Sequence, residues 1–189
     1  MYISLRKKLD KTKKYLIIGP GTSGKSTLIK ELTGGKYGRN SKEGKNIHTF
    51  KDYNILFLAP NYGPKKHEIN INAWIKVLNE EKAAALVCYV PRHIHIKRLV
   101  KRLKERWLKD IASNNVIDEL VNALIDKNVN NVDDKLNEIG NKYGSGVKNK
   151  LMKFFCKDMF FSYDELYKEL NKNNIEFYII NTFSEEERV

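Results

Sequence analysis

The sequence predicts an α/β fold of three layers, with helices on both faces of a mostly parallel five-stranded sheet and a helical insertion at about 107–160. Two observations predict it. Short continuous apolar runs, the mark of strands buried on both faces, recur along the chain and stop at glycine or proline. Between them lie segments whose apolar residues return at helical spacing, and strands that alternate with helices build a parallel, doubly wound sheet. The 189 residues suit one domain with an insertion.

After a basic leader, Tyr15-Leu16-Ile17-Ile18 is an apolar run ending at Gly19, which reads as a buried parallel strand. From Lys25 onward Leu28, Ile29 and Leu32 recur at helical spacing until Gly34-Gly35 stops the helix. Residues 36–46 are polar and glycine-punctuated, hence loop, and Ile47–Phe50 is a short strand. Tyr53–Ala59 is a strand ended by Pro60 and the Gly63-Pro64 turn. Ile71, Trp74, Ile75 and Leu78 mark one face of a helix. Ala83–Val90 is another buried strand, and Pro91 suits the first turn of the next helix, which carries Ile94, Leu99, Leu103 and Leu108. Residues 114–150 are mostly helical by pattern, with Gly140–Gly146 as a flexible break. Ser162, with Glu165 three residues on, opens a helix over Tyr163–Leu170, and Ile175–Ile180 is the last strand.

Hydrophobic residues make up 41% of the chain, enough for a sizeable core, which argues against global disorder. Lys and Arg number 35 against 23 Asp and Glu, a formal charge of +12. Such a surface draws polyanions: nucleotides, nucleic acid or anionic membrane. The plainer alternative is a solubilising surface rich in lysine and asparagine. Cys88 and Cys156 are far apart and form no C-x-x-C pair, which argues against a disulfide framework or a zinc site. Cys88 lies in an apolar run, so a buried thiol in a reducing compartment is expected. The N-terminus lacks the apolar stretch and cleavage pattern of a secretory leader, and the longest apolar runs are too short to span a bilayer. A cytoplasmic protein with no membrane partner is the expectation.

Gly19-Pro20-Gly21-Thr22-Ser23-Gly24-Lys25-Ser26 satisfies G-x-x-x-x-G-K-S in full. Glycines let the backbone fold tightly, so that successive amides turn inward around phosphates, and the helix that begins near Lys25 adds its positive end. Lys25 is expected on the β and γ phosphates of ATP or GTP, the Ser26 hydroxyl on Mg²⁺, and Thr27 near the α phosphate. An apolar strand directly before the pattern and an amphipathic helix directly after it give the match its meaning; the plain alternative is a glycine-rich strand–helix turn without a ligand. Further on, Arg98, Arg102 and Arg106 recur every four residues and share a helix face, where guanidinium groups can clamp a transferring γ phosphate. An exposed basic face is the alternative, since Lys97, Lys101, Lys104 and Lys109 are charged too.

The loop, from Ile17 through Ile29, resembles that of nucleoside-monophosphate kinases, notably guanylate kinases, among the P-loop NTPases. The stretch Val90-Pro91 through Arg102 looks like the fourth strand and arginine-bearing helix of small P-loop kinases. Residues 174–187 are similar to their last strand and the start of a terminal helix. Ile55–Asn61 with Trp74 resembles polynucleotide-kinase-like members. The resemblance implies a P-loop kinase that moves the ATP γ phosphate to a small nucleotide or to a nucleic-acid 5′ end, with Lys25, Arg98 and Arg102 stabilising the group in transit and Arg106 beside them. Ala59-Pro60-Asn61 supplies no acid where many such enzymes place an Asp for Mg²⁺.

Gly19–Thr27 also resembles the loop of heterotrimeric G-protein α subunits, which implies a GTPase-like regulator. A hairpin of Ile47–Phe50 with the next strand suits that architecture. Against it, the D-x-x-G segment would fall at Pro60-Asn61-Tyr62-Gly63 without its Asp, and N-K-x-D is absent. A third reading is a non-enzymatic nucleic-acid binder that stacks bases on Tyr143, Phe154, Phe155, Phe160, Phe161 and Tyr163, although these also suit helix cores. His93 and His95 form H-x-H on a helix, where they face different ways; solvated or capping roles fit them better than metal ligation. Asn61, His67 and Glu68, at the end of a parallel strand, join Tyr37 and Arg39 as acceptor-site residues, with ordinary surface-loop roles as the alternative.

Overall fold

Strand β1 (Lys14–Ile18) reads KYLII, and its four apolar residues are all buried. Apolar residues on both faces place a strand inside a sheet. β1 accordingly pairs in parallel with β3 (Ile55–Leu58) on one side and β4 (Ala83–Tyr89) on the other, so that Leu16 lies between Leu56 and Ala85. β5 (Phe177–Asn181) continues the parallel set beyond β4. β2 (Ile47–Phe50) runs antiparallel to β3 at the other edge, giving the order β2-β3-β1-β4-β5. The chain is seen in a computed structural model that describes residues 9–33, 47–50, 54–58, 69–107, 114–126 and 129–184.

Side-chain alternation along β1 sends Tyr15 and Ile17 to one face, where they join Leu28, Ile29 and Leu32 of helix α1 (Lys25–Thr33) in a buried cluster with Ile55, Leu86 and Cys88. Leu16 and Ile18 turn the other way and are equally buried, and helix α2 (Ile71–Glu81) packs on β1 and β4. The Asn70 side chain caps α2 by accepting from the Ala73 amide at 3.3 Å. Lys82 closes it in the left-handed region at φ 49°, which lets the chain pass straight into β4.

The described residues divide into two compact units. One holds the sheet with α1 and α2, and takes up the chain again from Ser162; the other is helical, covers Arg92–Phe161 and includes Ile69. The helical unit contains α3 (Arg92–Arg102, continuing as a π-helix over Leu103–Trp107), α4 (Asn114–Ile125), α5 (Val129–Tyr143) and α6 (Ser145–Leu151), which runs on through a π-helical stretch, Met152–Cys156, to Met159. It buries its own core, with Leu99, Leu103, Leu124, Leu136 and Phe155 at the centre. The expected break at Gly140–Gly146 is narrower than the sequence suggested. α5 continues through Gly140 to Tyr143 because Val132, Leu136 and Ile139 keep a buried stripe going, and only Gly144, at φ 94°, ends it. Gly140 sits close under the Lys148 side chain: a Cβ there would lie 3.0 Å from Lys148 Cδ and 3.3 Å from its Cβ, so that side chain would have to shift by a few tenths of an ångström. Among the described residues no helix is long and apolar enough to cross a membrane.

Helix α7 (Tyr163–Lys172) starts as the pattern required, with the Ser162 hydroxyl accepting from the Glu165 amide at 3.3 Å. Its end corrects the expected start of the last strand. Asn174 takes φ 53°, its amide donates to Asn171 O, and the Ile175 amide donates to Leu170 O, both at 3.0 Å. This pair of bonds is a Schellman closure, which engages Ile175 in ending the helix, so β5 begins only at Phe177 and reaches Asn181.

Candidate functional site

Six residues join the buried end of β1 to the first turn of α1, and their backbone is bent by positive φ at Gly19 (143°), Thr22 (58°) and Gly24 (84°). Ser23, fully buried, donates its hydroxyl to Pro20 O at 2.8 Å and its amide to the same carbonyl at 3.4 Å, closing a turn. Gly19 cannot carry a side chain in this shape: a Cβ would lie 2.8 Å from Ser23 Oγ and 3.0 Å from Cys88 O.

Lys25, 7% exposed, folds back over the loop. Its ammonium donates to Gly19 O at 2.7 Å and to Pro20 O at 2.5 Å. Two carbonyl dipoles thus solvate a nearly buried cation. The first α-helical bond of α1 runs from Leu28 N to Gly24 O at 2.9 Å. The amides of Ser26 and Thr27 precede it and meet no protein acceptor among the described residues, and both residues are exposed. A cation beside an open helix N-terminus is equipped to receive an anion.

The loop is braced from behind by residues that carry no local motif. Thr182, just past β5, donates its amide to Tyr89 O at 3.1 Å, and its hydroxyl lies 2.5 Å from Ser23 O. Tyr163, the first residue of α7, donates its phenol to Cys88 O at 2.8 Å and accepts from Val90 N at 3.3 Å. Burial pushes the Tyr163 phenol well above its ordinary range, which keeps it a donor. The Tyr89 ring packs against Tyr163 and Phe183 at 5.0 and 6.5 Å. Only position hinted at Tyr89 and Thr182, which sit at the C-terminal ends of parallel strands, where open α/β sheets bind ligands.

Cys88 lies beneath the loop as a buried thiol, as its apolar run required. Burial pushes it up to about 12, with the nearby Lys25 charge opposing; burial likewise pushes Cys156 up to about 12. Both thiols therefore stay protonated and shielded at pH 8, and the native protein is expected to take up no iodoacetamide until denaturant exposes both, as counted by intact-mass spectrometry.

Arg98 and Arg102 lie one turn apart on α3 in the helical unit, both half-buried. Arg106 falls in the π-helical stretch that follows. Tyr37, Arg39, Asn61, His67 and Glu68 lie outside the described residues. His93 and His95 do point apart, but His95 is buried rather than solvated, because it shares the inner face of α3 with Ile94 and Leu99. Phe155 is fully buried, and Tyr143 and Phe160 pack against the same core, so these aromatics serve packing. Among the described residues no group of three or more His, Cys, Asp or Glu side chains could hold a metal ion. Comparisons with family models, with curated proteins and with solved structures found no match.

Proposed function

We propose that Gly19–Ser26 is a P-loop within a three-layer α/β/α fold, that it binds the phosphates of ATP or GTP, and that the protein is a phosphotransferase acting on a nucleotide or related acceptor. One observation carries the reading: Lys25 is held nearly buried at the β1–α1 junction, where its ammonium donates to Gly19 O and Pro20 O of the loop itself. Burying an ammonium is costly, and phosphate oxygens are better acceptors for it than carbonyls. Strand order supports the same place. The chain leaves β1 for β3 on one side and then crosses to β4 on the other, which opens a crevice at the C-terminal ends of the strands.

On binding, Lys25 exchanges Gly19 O and Pro20 O for β and γ oxygens, and the Ser26 and Thr27 amides take up oxygens at the helix end. Mg²⁺ fits as a passenger on the phosphates: the Ser26 hydroxyl is exposed at the first turn, and Mg²⁺ keeps several waters and phosphate oxygens in preference to a protein cage. When bound, it neutralises charge on the β and γ oxygens.

A second reading, a GTPase-like regulator, is favoured by one observation: β2 runs antiparallel to β3, the hairpin that architecture calls for. A single panel separates the two. The protein is incubated with γ-labelled ATP or GTP, Mg²⁺, and a set of nucleosides, nucleotides and 5′-hydroxyl oligonucleotides. Label on an acceptor is the expected result. Release of inorganic phosphate alone favours the regulator, and retention of label on the nucleotide with tight binding leaves neither reaction standing.

A further inference from the structure

We infer that Thr182 is a positioning residue that aims the Gly24 amide into the phosphate site; this rests on the P-loop reading above. Thr182 is 7% exposed and its hydroxyl has two carbonyls in reach, Ser23 O at 2.5 Å and Tyr89 O at 3.0 Å. A hydroxyl has one proton. Tyr89 O already receives the Thr182 amide at 3.1 Å, and Ser23 O is the nearer acceptor, so the proton goes to Ser23 O. Ser23 C=O and Gly24 N–H belong to one rigid trans peptide plane and point in opposite directions. Pinning the oxygen toward Thr182 therefore turns the Gly24 N–H away from the sheet side of the loop. No protein acceptor among the described residues takes that N–H.

The contact is tight as well as polar. A Cβ at Gly24 would lie 2.7 Å from Thr182 Cβ, so the threonine stands directly against Gly24 and leaves no room for a side chain there. Thr182 lies 159 residues from Ser23 in sequence, which makes the far end of the chain a determinant of the loop. The role belongs to Thr182 through another residue's amide; its own side chain touches no phosphate.

The test uses the full chain and two probes, inorganic tripolyphosphate and Mg-ATP. Thr182→Val keeps the shape and removes the proton; Thr182→Ser keeps the proton. Thr182→Val is expected to weaken both probes by about 10-fold, in line with a lost hydrogen bond and a misaimed donor, and Thr182→Ser to restore wild-type binding. In the ligand-free protein, hydrogen exchange at the Ser23 and Leu28 amides is expected to quicken in Thr182→Val and not in Thr182→Ser. Should the valine variant not fold by circular dichroism, Thr182→Ala takes its place. Unchanged affinity in the valine variant overturns the inference, whether or not exchange quickens, and leaves the P-loop reading intact. A wild-type chain that binds neither probe overturns both.

Discussion

Replacing Lys25 with alanine is expected to remove nucleoside-triphosphate binding while leaving the fold in place. The ammonium is the cation that the loop holds over its own carbonyls, 2.7 Å from Gly19 O and 2.5 Å from Pro20 O. Truncating one partner of a buried, hydrogen-bonded charge pair costs about 2–5 kcal/mol, which weakens binding by roughly 30-fold or more. Stability follows a different account. The variant loses two charge-assisted hydrogen bonds but is relieved of a nearly buried charge, and Pro20 O keeps its bonds from the Ser23 hydroxyl and amide. These terms oppose each other, so the melting temperature is expected to move by no more than about 2–4 °C. Calorimetric titration with Mg-ATP and a thermal melt of the same sample check both halves. Wild-type affinity in the alanine variant would remove Lys25 from the site.

Gly24→Val is expected to break the loop and the fold around it. Gly24 sits at φ 84°, where an L side chain is strained, and a Cβ would lie 2.7 Å from Thr182 Cβ and 3.1 Å from its Oγ1. Strain of this kind costs about 1–3 kcal/mol, and overpacking adds about 1–3 kcal/mol. A loss of about 2–6 kcal/mol follows, together with loss of nucleotide binding. Gly144→Val supplies the comparison. Gly144 also has positive φ, 94°, but a Cβ there meets nothing within 4 Å. It is expected to show the backbone term alone, about 1–3 kcal/mol, with nucleotide affinity unchanged. Urea unfolding of the two variants side by side separates strain from collision, and equal losses would mean that the Thr182 contact carries no weight.

Much of the sheet was legible because its signal is local. Tyr15–Ile18 and Ala83–Tyr89 are continuous apolar runs, and such runs have few fates other than a strand buried on both faces. Capping was legible too, since Ser162 and Glu165 lie within one turn of each other. The loop could be found from Gly19 to Ser26 alone. Its brace could not: Thr182 and Tyr163 bond to backbone groups at Ser23 and Tyr89, and at Cys88 and Val90, far away in sequence, and nothing local marks a hydroxyl for such partners. Ile175 misled because an apolar residue next to Phe177 reads as strand, while its amide closes α7. Gly140 misled because glycine reads as a break, while here the missing side chain makes room for Lys148.

The most direct measurement is an amide NMR titration of the full chain with Mg-ATP. The largest shifts are predicted at Gly21, Gly24, Lys25, Ser26 and Thr27, saturating together and reproduced by tripolyphosphate. Saturable shifts confined to other residues, with this loop unmoved, would contradict the assignment of the phosphate site.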